Sequence, residues 1–135
     1  MFWRRYWAVI TWTIFILFLC GMPGDKFPPL TFLQWLNPDK IIHLILFGVE
    51  CFLLLKAFCS LPSGHLFNRR AALYAMMLSI GYGCVVEILQ ATVFTNRSGD
   101  IRDAIVNAIG AWIGLRLFNR LYSGKKINEK ATNRQ

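Results

Sequence analysis

The sequence predicts an all-α polytopic membrane protein, a bundle of about four transmembrane helices. Three observations lead there. Hydrophobic residues make up 56% of the 135 residues and charged residues only 16%, against about 25% in ordinary soluble domains. The apolar residues fall into four runs, each near the ~20 residues that span ~30 Å of hydrocarbon. Basic residues gather where those runs end, as they do around membrane-crossing segments. The length fits one domain.

The first run covers about residues 6–22, behind Arg4 and Arg5. A cleavable signal peptide needs small residues before the cut. Here Phe18, Leu19 and Cys20 precede Gly21, Trp7 and Trp12 interrupt the run, and bulky Leu19 before Cys20 suits a lipoprotein signal poorly. The expectation is a retained first helix. Pro23, Pro28, Pro29 and Pro38 then mark an irregular connection. Leu30, Phe32, Leu33, Trp35 and Leu36 suit a short segment lying in the membrane interface, with Trp35 at headgroup depth.

The second run, about 41–59, has a marked start. Asn37 can cap, Pro38 suits the first helical position, and Asp39 falls where the helix dipole favours an anion. Leu61, Pro62, Ser63 and Gly64 end it. The third run, about 71–94, is interrupted only by Glu87 and Gln90; the fourth, about 101–122, follows the polar turn Asn96-Arg97-Ser98-Gly99. The transmembrane domain is thus 1–122. Residues 123–135 read as a basic cytoplasmic tail without fixed structure. Cys20, Cys51, Cys59 and Cys84 lie inside or at the ends of apolar runs, with neither a CxxC pair nor zinc-like spacing, and read as small apolar helix residues.

The net charge of +8 raises nucleic acid as a partner, but the charges flank apolar runs and no nucleic-acid-reading motif accompanies them. With the amino terminus in the cytoplasm, the inside receives Arg4, Arg5, Lys56, Arg69, Arg70, Arg116, Arg120, Lys125, Lys126, Lys130 and Arg134. The outside receives Lys26, Lys40, Arg97 and Arg102. Eleven against four sets both termini inside.

This topology gathers three polar groups at the outer side: Asp39, Lys40 and His43 on the second helix, Glu87 and Gln90 on the third, and Arg97, Asp100, Arg102, Asp103 and Asn107 around the start of the fourth. Asp39, His43 and Phe47 share a helix face by their spacing of four. Asp100, Asp103, Asn107, Gly110 and Gly114 run down one stripe that ends in GxxxG, where small residues let another helix approach closely. Glu87 is costly inside a membrane run, at least ~2.5–3.5 kcal/mol, and needs a partner. His43, Lys40 and Arg97 are the candidates, or Glu87 stays protonated. Each residue has a plainer reading: Asp100 and Asp103 as helix caps, Arg97 as an interface anchor, His43 as a satisfied interior side chain, Asn107 and Gln90 as interhelical hydrogen bonders. Glu50 lies far below the cluster and reads as structural or peripheral.

At these residues the chain resembles a known family. Asp39-Lys40-Ile41-Ile42-His43 with Phe47 is similar to the D-K-x-x-H-x-x-x-[FY] signature of VanZ-like membrane proteins. Glu87-Ile88-Leu89-Gln90, Arg97-Ser98-Gly99-Asp100, Asp103, Asn107, Gly110 and Gly114 follow in the family's order and spacing, so the resemblance covers about residues 39–115. It implies a protein of the bacterial inner membrane. The family takes its name from a protein linked to low-level teicoplanin resistance, which makes a role in glycopeptide resistance an expectation of the resemblance alone. Glu50 is outside the pattern.

Three functions remain in play. The first is a cell-envelope protein that binds or acts on an anionic membrane lipid or lipid-linked cell-wall precursor at the outer leaflet. The positive starts of the second and fourth helices and the nearby cations suit a phosphate or carboxylate. On that reading Glu87, His43, Asp100 and Asp103 are the catalytic candidates, with Glu87 or His43 as general base. Asp100 and Asp103, with His43 as a third ligand, are candidates to hold a divalent cation. Lys40, Arg97, Gln90, Asn107 and Asp39 are the substrate-binding candidates. The second function is a non-enzymatic assembly or interaction protein, and the third is a proton- or ion-coupled transporter subunit, which four short helices would serve only as a homo-oligomer.

Overall fold

The computed structural model describes residues 2–22, 38–59, 65–94 and 99–132. Among these there are four helices and no strand: α1 (Phe2–Gly21), α2 (Pro38–Cys59), α3 (His65–Thr92) and α4 (Ile101–Thr132). The all-α expectation holds. The expected interfacial segment with Trp35, the Asn37 cap, the 61–64 stop and Arg97 lie outside the described residues.

The helices outrun the apolar runs because hydropathy marks the stretch suited to hydrocarbon, not where helical hydrogen bonding begins. Thus α1 already includes Arg4 and Arg5, and α3 starts at His65. The tail expected to lack structure after Ser123 instead continues α4 to Thr132. Lys125, Lys126, Glu129, Lys130 and Ala131 are good helix formers and no proline intervenes. The start of α2 at Pro38 is as read, with Asp39 in its first turn and Lys56 in its last, both favourable to the helix dipole.

Contacts fix the topology. α1 and α2 are antiparallel, with Tyr6 against Phe58 at one end and Cys20 against His43 at the other. α3 runs parallel to α1: the Tyr82 hydroxyl donates to the Thr13 carbonyl at 2.7 Å and the Gln90 amide to the Cys20 carbonyl at 3.0 Å. α4 runs parallel to α2, from Lys40 beside Asp103 to Phe52 against Phe118. The order is therefore up, down, up, down. The starts of α2 and α4 meet the ends of α1 and α3, and the start of α1 and the end of α4 belong to the opposite end.

α2 packs on all three other helices, most extensively on α4. The seam is built on glycine. A Cβ on Gly110 would collide with the Leu44 carbonyl and one on Gly114 with the Gly48 carbonyl. The GxxxG stripe is thus spent on the α2–α4 contact within the chain, where absent side chains let two backbones approach.

Polarity is turned inward. His43, Glu50, Ser79, Glu87, Gln90, Asp103 and Asn107 are buried, while Trp7, Ile14, Phe18, Leu73, Met77, Ile88, Ile105 and Leu117 are among many large apolar side chains exposed on the outside. Soluble monomers rarely expose contiguous apolar surface on this scale. Two segments, Asp39–Cys59 and Arg70–Thr92, are long and apolar enough to cross a bilayer.

Candidate functional site

Of the polar side chains predicted to converge, those of Lys40, His43, Glu87, Asp100, Asp103 and Asn107 meet at the end of the bundle where α2 and α4 begin. Two layers are evident.

The outer layer is an ion cluster. Lys40, in the first turn of α2, places Nζ 2.5 Å from Asp103 Oδ1 and 3.5 Å from Asp100 Oδ2. Asp103 is buried, whereas the Asp100 side chain is 42% exposed and that of Lys40 28%, so this layer forms a wet rim. Asp100 precedes α4 and caps it, as its plainer reading expected: its Oδ1 accepts the Arg102 N–H at 2.9 Å.

The inner layer is a relay across α2, α3 and α4. His43 Nδ1 lies 3.0 Å from Asn107 Oδ1 and 3.4 Å from Glu87 Oε1. The Asn107 amide donates to Glu87 Oε1 at 3.5 Å, and the backbone N–H of Asp100 donates to Glu87 Oε2 at 3.2 Å. With Asn107 oxygen facing His43 and its nitrogen facing Glu87, the matching His43 tautomer carries its proton on Nδ1. Nε2 is then an acceptor, 4.0 Å from Cys20 Sγ. Backbone shape makes room for this layer. A Cβ on Gly83 would press on Asn107, and one on Gly99 would strike the Glu87 carbonyl and Ala91. Phe47 stacks beneath His43 with ring centroids 6.2 Å apart.

Of the predicted partners of Glu87, His43 is in place and Lys40 is not, because Lys40 is engaged by the two aspartates. Gln90 is buried and ties α3 to α1 through the Cys20 carbonyl. Asp39 is half-buried in the first turn of α2. Arg97 lies outside the described residues.

The possible divalent-cation ligands do not form a set. Asp100 and Asp103 converge on the Lys40 ammonium, and His43 turns away toward Asn107 and Glu87. Among the described residues no three His, Cys, Asp or Glu side chains are grouped to hold a metal. A lysine between the carboxylates supplies positive charge where a divalent cation would otherwise be needed.

One participant is not legible in the sequence. Cys20 reads as a small apolar residue, yet its sulfur faces His43; only its place at the end of α1 level with the start of α2 hinted at this. Glu50, fully enclosed, accepts the Thr13 hydroxyl at 2.9 Å on Oε1, while Oε2 has no partner. An apolar layer of Ile16, Leu46, Phe47 and Val86 lies between Glu50 and the outer cluster.

The Asp100 cap makes a pH prediction. The Arg102 N–H, followed by the charge of nearby Lys40, holds the Asp100 carboxyl below its ordinary value. A depressed folded-state pKa adds stability above the unfolded value that is lost as pH falls through the folded one. Melting of the detergent-solubilised protein should therefore drop on acidification from the ordinary aspartate range downward. Asp100→Asn should melt lower at neutral pH and show a shallower acid decline; an unchanged slope would exclude the cap as a contributor.

Neither a curated protein nor a solved structure gives a match. A family model described as VanZ/LLP1 matches residues 2–122, all of α1 through α3 and α4 as far as Tyr122, including every residue of the polar cluster. The chain belongs to the VanZ/LLP1 family.

Proposed function

We propose that this chain crosses the bacterial inner membrane four times with both termini in the cytoplasm. Its α2–α3–α4 cluster then binds the polar headgroup of an anionic envelope lipid or lipid-linked cell-wall precursor at the outer leaflet. The observation that carries the reading is the two-layer cluster: a buried relay of His43, Asn107 and Glu87 beneath a rim in which buried Asp103 ties down the partly exposed Lys40 and Asp100. An apolar exterior around a polar interior supports the membrane setting, and eleven of fifteen basic residues on one side support the orientation. In this arrangement Glu87 and His43 Nδ1 are occupied internally. They serve as positioning residues, and the rim, with Arg97 and Asp39 beside it in sequence, meets the ligand.

A second reading is acid–base chemistry on the same ligand. The Glu87–His43 approach of 3.4 Å favours it, since a carboxylate beside an imidazole orients a general base. Hydrolysis and group transfer are both within its reach. A link to glycopeptide tolerance belongs to either reading, through a change in what the outer leaflet presents.

The topology is tested by single cysteines in a cysteine-free background. Cysteines at Asn37 and Ser98 should react with an impermeant maleimide in intact cells, and one at Gly124 only after lysis. Labelling of Ser98 only after lysis would dismantle the site. Native mass spectrometry of the purified protein should retain an anionic lipid that Lys40→Gln loses. Expression in a susceptible host should raise teicoplanin tolerance, and Glu87→Gln should remove that gain with the protein still folded.

A further inference from the structure

The opposite end of the bundle holds a cavity of about 400 Å³ between the first turns of α1 and the last turns of α2. This is in the roughly 300–1,000 Å³ range of small-molecule pockets. Arg4, Arg5 and Lys56 line it together with Trp7, Val9 and Leu53. We propose that this cavity is a second binding site, specific for an anionic phospholipid of the cytoplasmic leaflet, whose phosphodiester the three cations hold. The inference rests on the membrane reading above but not on the outer cluster.

Three features favour this ligand. Charge at this end is one-sided: the described residues 2–8, 54–59, 65–72 and 114–132 carry ten of the fifteen Lys and Arg but one of the seven Asp and Glu. Two guanidinium groups on adjacent residues present forked donors, the geometry that meets phosphate oxygens in pairs. Below them the cavity wall is apolar, and an exposed stripe of Trp7, Ile14 and Phe18 continues along α1 at spacings of seven and four. An acyl chain can follow that stripe; free phosphate would have no use for it. Trp7 marks the boundary, since indole rings prefer headgroup depth.

The test is native mass spectrometry of the protein released from bilayer nanodiscs of equal phosphatidylglycerol and phosphatidylcholine. The wild type should retain phosphatidylglycerol in preference. Arg4→Gln/Arg5→Gln/Lys56→Gln should reduce that preference about tenfold or more. Arg70→Gln/Arg116→Gln/Arg120→Gln, which removes equal charge from outside the cavity, should leave it near wild type. Ala8→Phe keeps every charge and fills the cavity; it should lose the preference as well, and its melting temperature reports whether the fold survives. Equal losses in both triple variants would reduce the effect to diffuse electrostatics and overturn the site, as would a folded Ala8→Phe protein with the preference intact. Displacement of the lipid by inorganic phosphate would assign the cavity to the free ion and overturn the lipid. Equal retention of the two lipids would overturn the site alone. Retention of neither, with the protein outside the disc, would overturn the membrane reading too.

Discussion

Gly114→Leu should separate α2 from α4 and destabilise the bundle by about 3 kcal/mol or more, the upper range for overpacking a closed contact. Even the first added carbon collides with the Gly48 carbonyl oxygen, which is backbone and cannot rotate aside. Gly110 meets the Leu44 carbonyl in the same way, one turn nearer the polar cluster. The remaining glycines give a graded control. A Cβ on Gly48 would lie 3.1 Å from the Gly110 carbonyl, a tight contact that a small shift relieves, so Gly48→Ala should cost about 1 kcal/mol. A Cβ on Gly81 meets nothing within 4 Å, so Gly81→Ala should be neutral or stabilising, by up to ~1 kcal/mol of helix propensity. Unfolding in mixed micelles by SDS titration measures the series. If Gly81→Ala proved as damaging as Gly114→Ala, the seam would not be where the helices meet. The consequence reaches the site, because α2 brings Lys40 and His43 and α4 brings Asp103 and Asn107. A glycine substitution near the middle of the seam should uncouple those pairs without touching them.

A close helix contact along the glycine stripe of α4 and the outer cluster were both legible in the sequence, for one reason, although the partner helix of the stripe was not. Spacing along a helix decides which residues share a face, and polar residues in an apolar helix are forced toward one another. Asp103, Asn107, Gly110 and Gly114 therefore announced a stripe, and Glu87 announced a need for a partner. Pairing within the cluster was not legible. Lys40, His43 and Arg97 were equivalent candidates for Glu87 until the register between helices was known, and a shift of one turn would have exchanged Lys40 for His43. The partner of the aspartates was hidden on the same point: two aspartates three apart look like cation ligands until a lysine from a neighbouring helix takes their charge. Helix ends were misread because apolar runs report solvent preference, so α4 past Ser123 looked like tail. The Glu50–Thr13 and Cys20–His43 contacts depend on how α1 seats against α2, which no local pattern encodes.

Glu87→Leu and Glu87→Gln should diverge, and the difference separates fold from function. Leucine leaves the Asp100 N–H and the Asn107 amide without an acceptor next to a buried histidine. An unsatisfied buried donor costs about 1–3 kcal/mol, and the start of α4 loses its tie to α3, so Glu87→Leu should fall by about 2 kcal/mol or more. Glutamine can be accommodated by a concerted flip. Its oxygen takes the Asp100 N–H, and its nitrogen then faces Asn107. The Asn107 amide must turn over to present oxygen, which aims its nitrogen at His43 Nδ1. His43 answers by moving its proton to Nε2, where Cys20 Sγ accepts it across 4.0 Å. The Asp100 N–H, the two amides and the imidazole N–H each keep an acceptor, only the weak Cys20 S–H donor loses the ring nitrogen, and Glu87→Gln should stay within about 1 kcal/mol of the parent. What changes is the charge beside His43 and the ring nitrogen that carries the proton. Imidazole nitrogen shifts in a histidine-labelled sample read the tautomer directly: Nδ1–H in the parent, Nε2–H in Glu87→Gln. Loss of function with that switch and a preserved fold would assign the function to the charge or proton position of the relay. A Glu87→Gln protein that functions normally after the switch would leave the relay a purely structural clamp beneath the Lys40–Asp100 rim.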